Sequence, residues 1–256
     1  MSYPYLSKDE KKIPINDPTG KWSDLTLMPE WQEKYYDVYS VRKFGKWIMI
    51  KALKKEYADK PEYREMLEKE FDTRYNLAHP NIVMVNDLEE VPGVGMSIVT
   101  DDVYGYSLRR LIDEKRLTPR IVQRLQTQLP DAMEYIQENH LVHYPITPET
   151  IIFTEYNENL KLLNVGYDQT DSLSEQDTSE DIRHYGEVIM EVLPNLPASL
   201  PHLKKIAENC IQAKSPYKTV TDLQLALQRR STNAIYIFLC LFITVMAALL
   251  IWLSFR

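Results

Sequence analysis

Glycine is scarce in this chain, at seven of 256 residues. So few leave little material for a loop whose backbone must close over phosphate groups. Cysteine is limited to Cys210 and Cys240. The first lies in an expected helix and the second in an apolar stretch, so no disulfide framework is available. Neither has a second ligand at zinc-binding spacing, and no metal site is expected. Positive charge is also in deficit: 30 Lys and Arg stand against 37 Asp and Glu, a net charge of −7. A broad nucleic-acid-binding face needs clustered cations, so no nucleic-acid partner is expected. The local run Lys51–Lys55 reads as the solvated end of a strand. The opening Met1–Lys12 has no apolar core, which excludes a secretory signal there. No internal repeat is evident.

One long apolar run is present. Ala234–Leu253 is twenty residues without a charge, about 30 Å as a helix, the thickness of a bilayer's hydrocarbon core. Tyr236 and Trp252 sit near its ends, where amphipathic rings favour the interface. Arg229 and Arg230 precede the run and Arg256 follows it. That asymmetry puts the preceding domain on the cytoplasmic side. The expectation is a single-pass, tail-anchored membrane protein whose partner through 234–253 is the lipid bilayer.

The rest divides by pattern. Residues 1–24 are polar and proline-punctuated and read as a lead. Tyr35–Arg42 alternates as a strand, Phe44-Gly-Lys46 turns, and Trp47–Leu53 returns. After Asp59-Lys-Pro61 a helix is expected with a stripe at Met66, Leu67, Phe71, Tyr75 and Leu77. His79–Val83 turns into a strand, and Met96–Thr100 forms another. Past Gly105 helices dominate: Ser107 caps Leu108–Glu114, and Pro119 opens a long helix to about Asn139 that Pro130 should kink or break. Short strands follow at Ile151–Phe153 and Leu160–Leu163, then a polar stretch over 167–180. Helices close the domain at Asp181–Val192, Leu203–Ala213 and Thr221–Gln228. A strand-rich first part and a helix-rich second part define an α+β protein with two unlike lobes. They are drawn at 25–103 and 104–228, with a basic linker at 229–233 before the apolar run.

Several motifs, in order, resemble a protein kinase over about 35–228. Val38–Lys51 is similar to the end of the glycine-rich hairpin leading into the strand that carries the nucleotide lysine. Glu70 lies ahead of His79-Pro-Asn-Ile-Val83 at the distance of the family's helix glutamate. Thr100-Asp101-Asp102-Val103 resembles the gatekeeper and hinge. His140–Phe153 is similar to the catalytic loop, Leu160–Gly166 to the metal-binding loop, and Asp181–Gly186 to the start of the central helix of the large lobe. The resemblance implies a bilobal kinase-like fold, with His143, Gly166 and Asp181 in structural roles. It assigns Lys51, Glu70, Thr100 and Asp101 to a nucleotide site.

The departures from the family pattern fall on its chemistry. Tyr144 replaces the usual Arg and Pro145 the catalytic Asp. Thr147 replaces a Lys, Thr150 the metal-binding Asn, and Asn164 the magnesium-binding Asp. Proline has no side-chain oxygen to take a hydroxyl proton, and threonine and asparagine are poor magnesium ligands. Counting back from Val38, the three loop glycines fall at Trp31, Glu33 and Tyr36. Bulk at these positions blocks the backbone's approach to phosphate, and an acid there repels it. Fourteen residues between Gly166 and Asp181 leave no peptide-substrate platform. The expectation is a membrane-tethered pseudokinase, a scaffold or regulatory module for an unidentified protein partner, with no cofactor. Its cleft is empty, filled by Trp31 or Tyr36, or taken by a partner's segment. The alternatives are a sensor binding ATP without magnesium, and an atypical active kinase recruiting Asp101, Glu149 or Asp168 to a metal.

Overall fold

The computed structural model describes residues 12–101, 103, 105–140, 145–163, 175–197, 199–228 and 240–244. Among these, the first part is a six-stranded sheet and the second is mostly helical. In chain order the strands of the large sheet are β1 (Lys12–Ile13), β2 (Trp22–Leu27), β3 (Tyr36–Lys43), β4 (Lys46–Leu53), β5 (Val85–Val91) and β6 (Gly95–Thr100). They lie side by side as β1-β2-β3-β4-β6-β5, each neighbouring pair antiparallel. The tight turn between β3 and β4 places both Phe44 and Gly45 at positive φ, 51° and 78°. Two such residues match the twist of the flanking strands.

Alternation along these strands gives the sheet two buried faces. Cross-strand partners share a face, so Val38 opposite Lys51 and Met49 opposite Thr100 put four side chains on the side toward the second lobe. The intervening Val41, Ile48, Ile50 and Val99 face the other way and bury against Trp22 and Leu25. These last two explain why the sheet begins earlier than the residue-25 boundary suggests. Two apolar side chains among polar neighbours were enough to recruit β2, and Trp22 is 4% and Leu25 1% exposed.

Helix α1 (Pro61–Tyr75) packs across the sheet. Its buried residues are Leu67, Glu70 and Arg74, while Tyr75 is exposed. The expected apolar stripe therefore lies to one side of the face that is most deeply covered. A short sheet of β7 (Gly105–Ser107), β8 (Ile151–Thr154) and β9 (Leu160–Leu162) opens the second part. Around it lie α2 (Leu108–Asp113), α3 (Pro119–Glu138), α4 (Glu175–Val192), α5 (Pro201–Ile211) and a last helix over 220–228. The Ser107 hydroxyl accepts from Arg110 N at 3.2 Å and caps α2, and Thr118 caps α3 in the same way through Ile121 N at 3.1 Å. Helix α3 runs on through Pro130 without a break. Pro130 is buried against the core, so the loss of one backbone hydrogen bond is offset by packing. The core of this lobe centres on Leu125, Leu129, Ile136, Phe153, Ile182 and Tyr185.

The lobes are stitched together just before β5. Asn81 donates its side-chain amide to Leu160 O at 2.9 Å, and its carbonyl accepts from Leu162 N at 2.8 Å. Val83 N then reaches Leu162 O at 3.1 Å, and Ile82 bridges Leu162 in parallel register. The strand expected after the His79–Val83 turn begins at Val85, once the backbone of 81–83 has been spent on this junction.

Candidate nucleotide cleft

Lys51 is the centre of the cleft between the lobes. Strand β4 aims it away from solvent, leaving the residue 4% exposed. Its Nζ donates to Glu70 Oε1 at 2.8 Å, and the same oxygen accepts from Arg74 NH1 at 2.9 Å, one helical turn further along α1. Burial alone would raise the Glu70 carboxyl, but Lys51 and Arg74 together outweigh it and hold it below its ordinary value. The lysine–glutamate pair expected from the order of the motifs is thus formed. Arg74 was not among the expected residues, although its i,i+4 spacing from Glu70 was legible.

A fourth charge completes the group. Glu33 Oε2 lies 2.8 Å from Lys51 Nζ, with the Glu33 side chain 8% exposed. Among the described residues neither Glu33 oxygen makes a hydrogen bond of good geometry, so this contact is Coulombic. The Tyr36 ring stands over the same ammonium, with its centroid 4.2 Å away. Glu33 belongs to the connection between β2 and β3, where the sequence places the phosphate-covering loop. There an acid was expected to repel phosphate; it also takes the lysine for itself.

Trp31, on the same connection, is 6% exposed and packs with Val38, Met49, Val83, Val103, Ile152 and Leu163. These six line the gap between the two sheets, so the indole occupies the apolar slot of the cleft. The space left beside it is about 30 Å³, room for one water, whereas sites for small molecules run to hundreds of Å³. Of the fillings considered for the cleft, Trp31 is the one found in the apolar slot, while Tyr36 flanks the lysine. The slot has no room for a second flat ring beside Trp31 in this conformation.

Thr100 and Asp101 border the slot with their polar atoms engaged. Thr100 Oγ1 contacts Met49 O at 3.3 Å and Asp101 O at 3.2 Å, and Asp101 accepts from Asn86 Nδ2 at 2.8 Å. On the opposite lobe Pro145 is exposed, at the end of the described part of the catalytic-type loop. Thr150 Oγ1 accepts from Thr147 N at 3.0 Å and contacts Thr147 O at 3.1 Å, so the hydroxyl at the metal-ligand position closes a local turn. Glu149 is held by Arg109 at 2.7 Å, and that guanidinium also binds Glu191. Burial would raise the Glu149 carboxyl, yet Arg109 and neighbouring donors bring it below its ordinary value.

Among the described residues no three His, Cys, Asp or Glu side chains gather to hold a metal. Asp181 lies on α4, half-buried. His143, Tyr144, Asn164, Gly166 and Asp168 fall outside the described residues.

This two-lobed α+β arrangement is the protein kinase fold. The crystal structure of the PknI kinase domain of M. tuberculosis superposes with a TM-score of 0.59 at 16% identity, covering 83% of this chain and 97% of that domain. The family model for the protein kinase domain matches residues 34–185, more than half of the sequence, and the chain belongs to that family. Among curated relatives, the serine/threonine-protein kinase PrkC of Bacillus subtilis is 29% identical over 120 residues, 46% of this chain and 18% of that protein. PkaA of Streptomyces coelicolor is 31% identical over 112 residues, 43% of this chain and 20% of its own length. The inhibitor of nuclear factor kappa-B kinase subunit beta of Mus musculus is 28% identical over 134 residues. The matched part spans about a fifth of these relatives.

Proposed function

We propose that this chain is a non-transferring member of the protein kinase family that responds to adenine nucleotide in its cleft and relays that state to a protein partner at a membrane. The observation that carries it is the buried Lys51–Glu70 pair at 2.8 Å, which a fold kept only for its surface does not need. Buried ion pairs are costly to desolvate, and apolar side chains in their place are often as stable or more so. Family membership favours the same reading, since the matched relatives are named as kinases.

Loss of phosphoryl transfer is argued from the other lobe. Pro145 offers no oxygen to the substrate hydroxyl, Thr150 is tied to Thr147, and Glu149 to Arg109. Nucleotide binding without magnesium follows from the same residues. The membrane contact is assigned to 234–253 on its uncharged length and flanking arginines. Of that run, 240–244 are described and helical; among the described residues no helix is long and apolar enough to cross a membrane. A membrane contact through 234–253, with the kinase-like domain on the cytoplasmic side, is part of the proposal on that sequence pattern alone. A pure scaffold, indifferent to nucleotide, is the second reading, favoured by the filled slot around Trp31.

Thermal unfolding of the full chain in mild detergent, with ATP in EDTA or in magnesium, separates these. A stabilising shift of similar size in both, with no labelled phosphate transferred, is expected. A shift requiring magnesium, with transfer abolished in Lys51→Met, would instead establish an active kinase. No shift in either condition would leave the scaffold.

A further inference from the structure

The filling of the cleft has a specific form. The β2–β3 connection, 28–35, puts an aromatic plane and a carboxylate into the cleft two residues apart. After a short 3-10 turn over Pro29–Trp31, Gln32 is extended (φ −64°, ψ 138°) and exposed, so Trp31 and Glu33 turn inward while Gln32 turns out. Backbone bonds pin both ends: Met28 N to Val38 O at 2.8 Å, and Glu33 N to Tyr36 O at 3.0 Å. Inside, the indole lies among Val38, Met49, Val103, Ile152 and Leu163, and the carboxylate sits 2.8 Å from Lys51 Nζ. We propose that this loop is a tethered ligand of its own cleft, with Trp31 standing in for a flat aromatic base and Glu33 for the anionic group that base would carry.

The charges agree with such a role. Among the described residues Lys51 and Arg74 face Glu33 and Glu70, a balanced set of two positive and two negative charges that offers an incoming anion no net attraction. Taking Glu33 away leaves one net positive charge beside Glu70. Glu33 is also the least well held member, a buried carboxylate lacking a good hydrogen bond among the described residues, and hence the one an outside anion can replace. The stand-in is covalently attached and always present, so an outside ligand must outcompete a high local concentration. Winning that competition expels Trp31 and exposes 28–35, which converts ligand occupancy into a change of surface. The tethered-ligand assignment rests on the loop geometry, while its use as a nucleotide switch rests on the function proposed above.

The test uses the full chain in mild detergent, with free indole and magnesium-free ADP as probes. Trp31→Gly should lower the unfolding midpoint, and indole should raise it again by several degrees in the variant but not in the parent, whose slot is full. Glu33→Gln keeps the fold's bulk and should bind ADP at least tenfold more tightly than the parent. Indole rescue with no ADP binding to any variant would sustain the tethered ligand and sink the nucleotide reading. A folded Trp31→Gly that indole does not stabilise would overturn the tethered ligand. If Trp31→Gly does not fold, measurable ADP binding of equal strength in Glu33→Gln and the parent would overturn the tethered ligand, and no binding in either would sink the nucleotide reading.

Discussion

At the scale of single residues, one buried lysine organises the cleft between the lobes. Lys51 is the hub: Glu33, Glu70 and the Tyr36 ring all lie within contact of its ammonium. Lys51→Met removes the hub but strands two buried carboxylates, of which Glu70 keeps Arg74 at 2.9 Å. Breaking a buried pair in this manner costs about 3–5 kcal/mol. Denaturant unfolding of Lys51→Met should show a loss of that order, and the double variant Lys51→Met/Glu33→Gln should regain part of it. A single-variant loss under about 1 kcal/mol, the worth of an exposed pair, would mean the cleft is wetter than its burial indicates. The Lys51–Glu70 pair was legible because it sits in register with flanking motifs. The Glu33 contact was not, because charge and position alone cannot say whether a loop folds over the cleft or away from it.

At the scale of elements, packing is tightest where glycine removes a side chain. On Gly186 a Cβ would stand 2.6 Å from Cys210 Cβ and 2.8 Å from Ala207 O, so α4 and α5 touch there backbone to backbone. Gly186→Ala must push the helices apart, and overpacking of this kind costs about 1–3 kcal/mol. Gly45→Ala meets nothing within 4 Å and bears only the strain of its positive φ, about 1 kcal/mol. Thermal scans should therefore rank Gly186→Ala as the more damaging. The reverse order would mean α4 and α5 part easily. Element existence was largely readable from alternation, one cap and a helix-opening proline, as at β3, β4, Ser107 and Pro119. Early β2 was missed since Trp22 and Leu25 lie in a polar, proline-bounded stretch. The face of α1 was misjudged because Glu70 and Arg74, polar by type, are buried by pairing.

At the scale of the whole molecule, pH reaches the stability through groups placed on both sides of the lobe junction. His79 flanks Asn81, whose backbone N–H lies 3.2 Å from its Nδ1, and His184 lies on α4 beside Arg183. Burial lowers both imidazoles below 6.5; Asp131 opposes it at His79, while Arg183 reinforces it at His184. A base held neutral in the folded state is protonated first in the unfolded one, so stability is full above about 6.5 and declines as pH falls below it. The carboxyls of Glu70 and Glu149 are shifted down, so their contribution persists until the pH drops through their ordinary value of 4.5 and is then lost. The unfolding midpoint should accordingly hold level between pH 7 and about 8, below the range where the buried Cys210 thiol resists ionisation, slope downward from about 6.5, and fall again in the acid range. In the double variant His79→Asn/His184→Asn the first slope should vanish and the second remain. A parent midpoint unchanged between pH 7.5 and 5.5 would show that neither imidazole is held neutral by the fold, and that the junction at Asn81 tolerates a positive charge beside it.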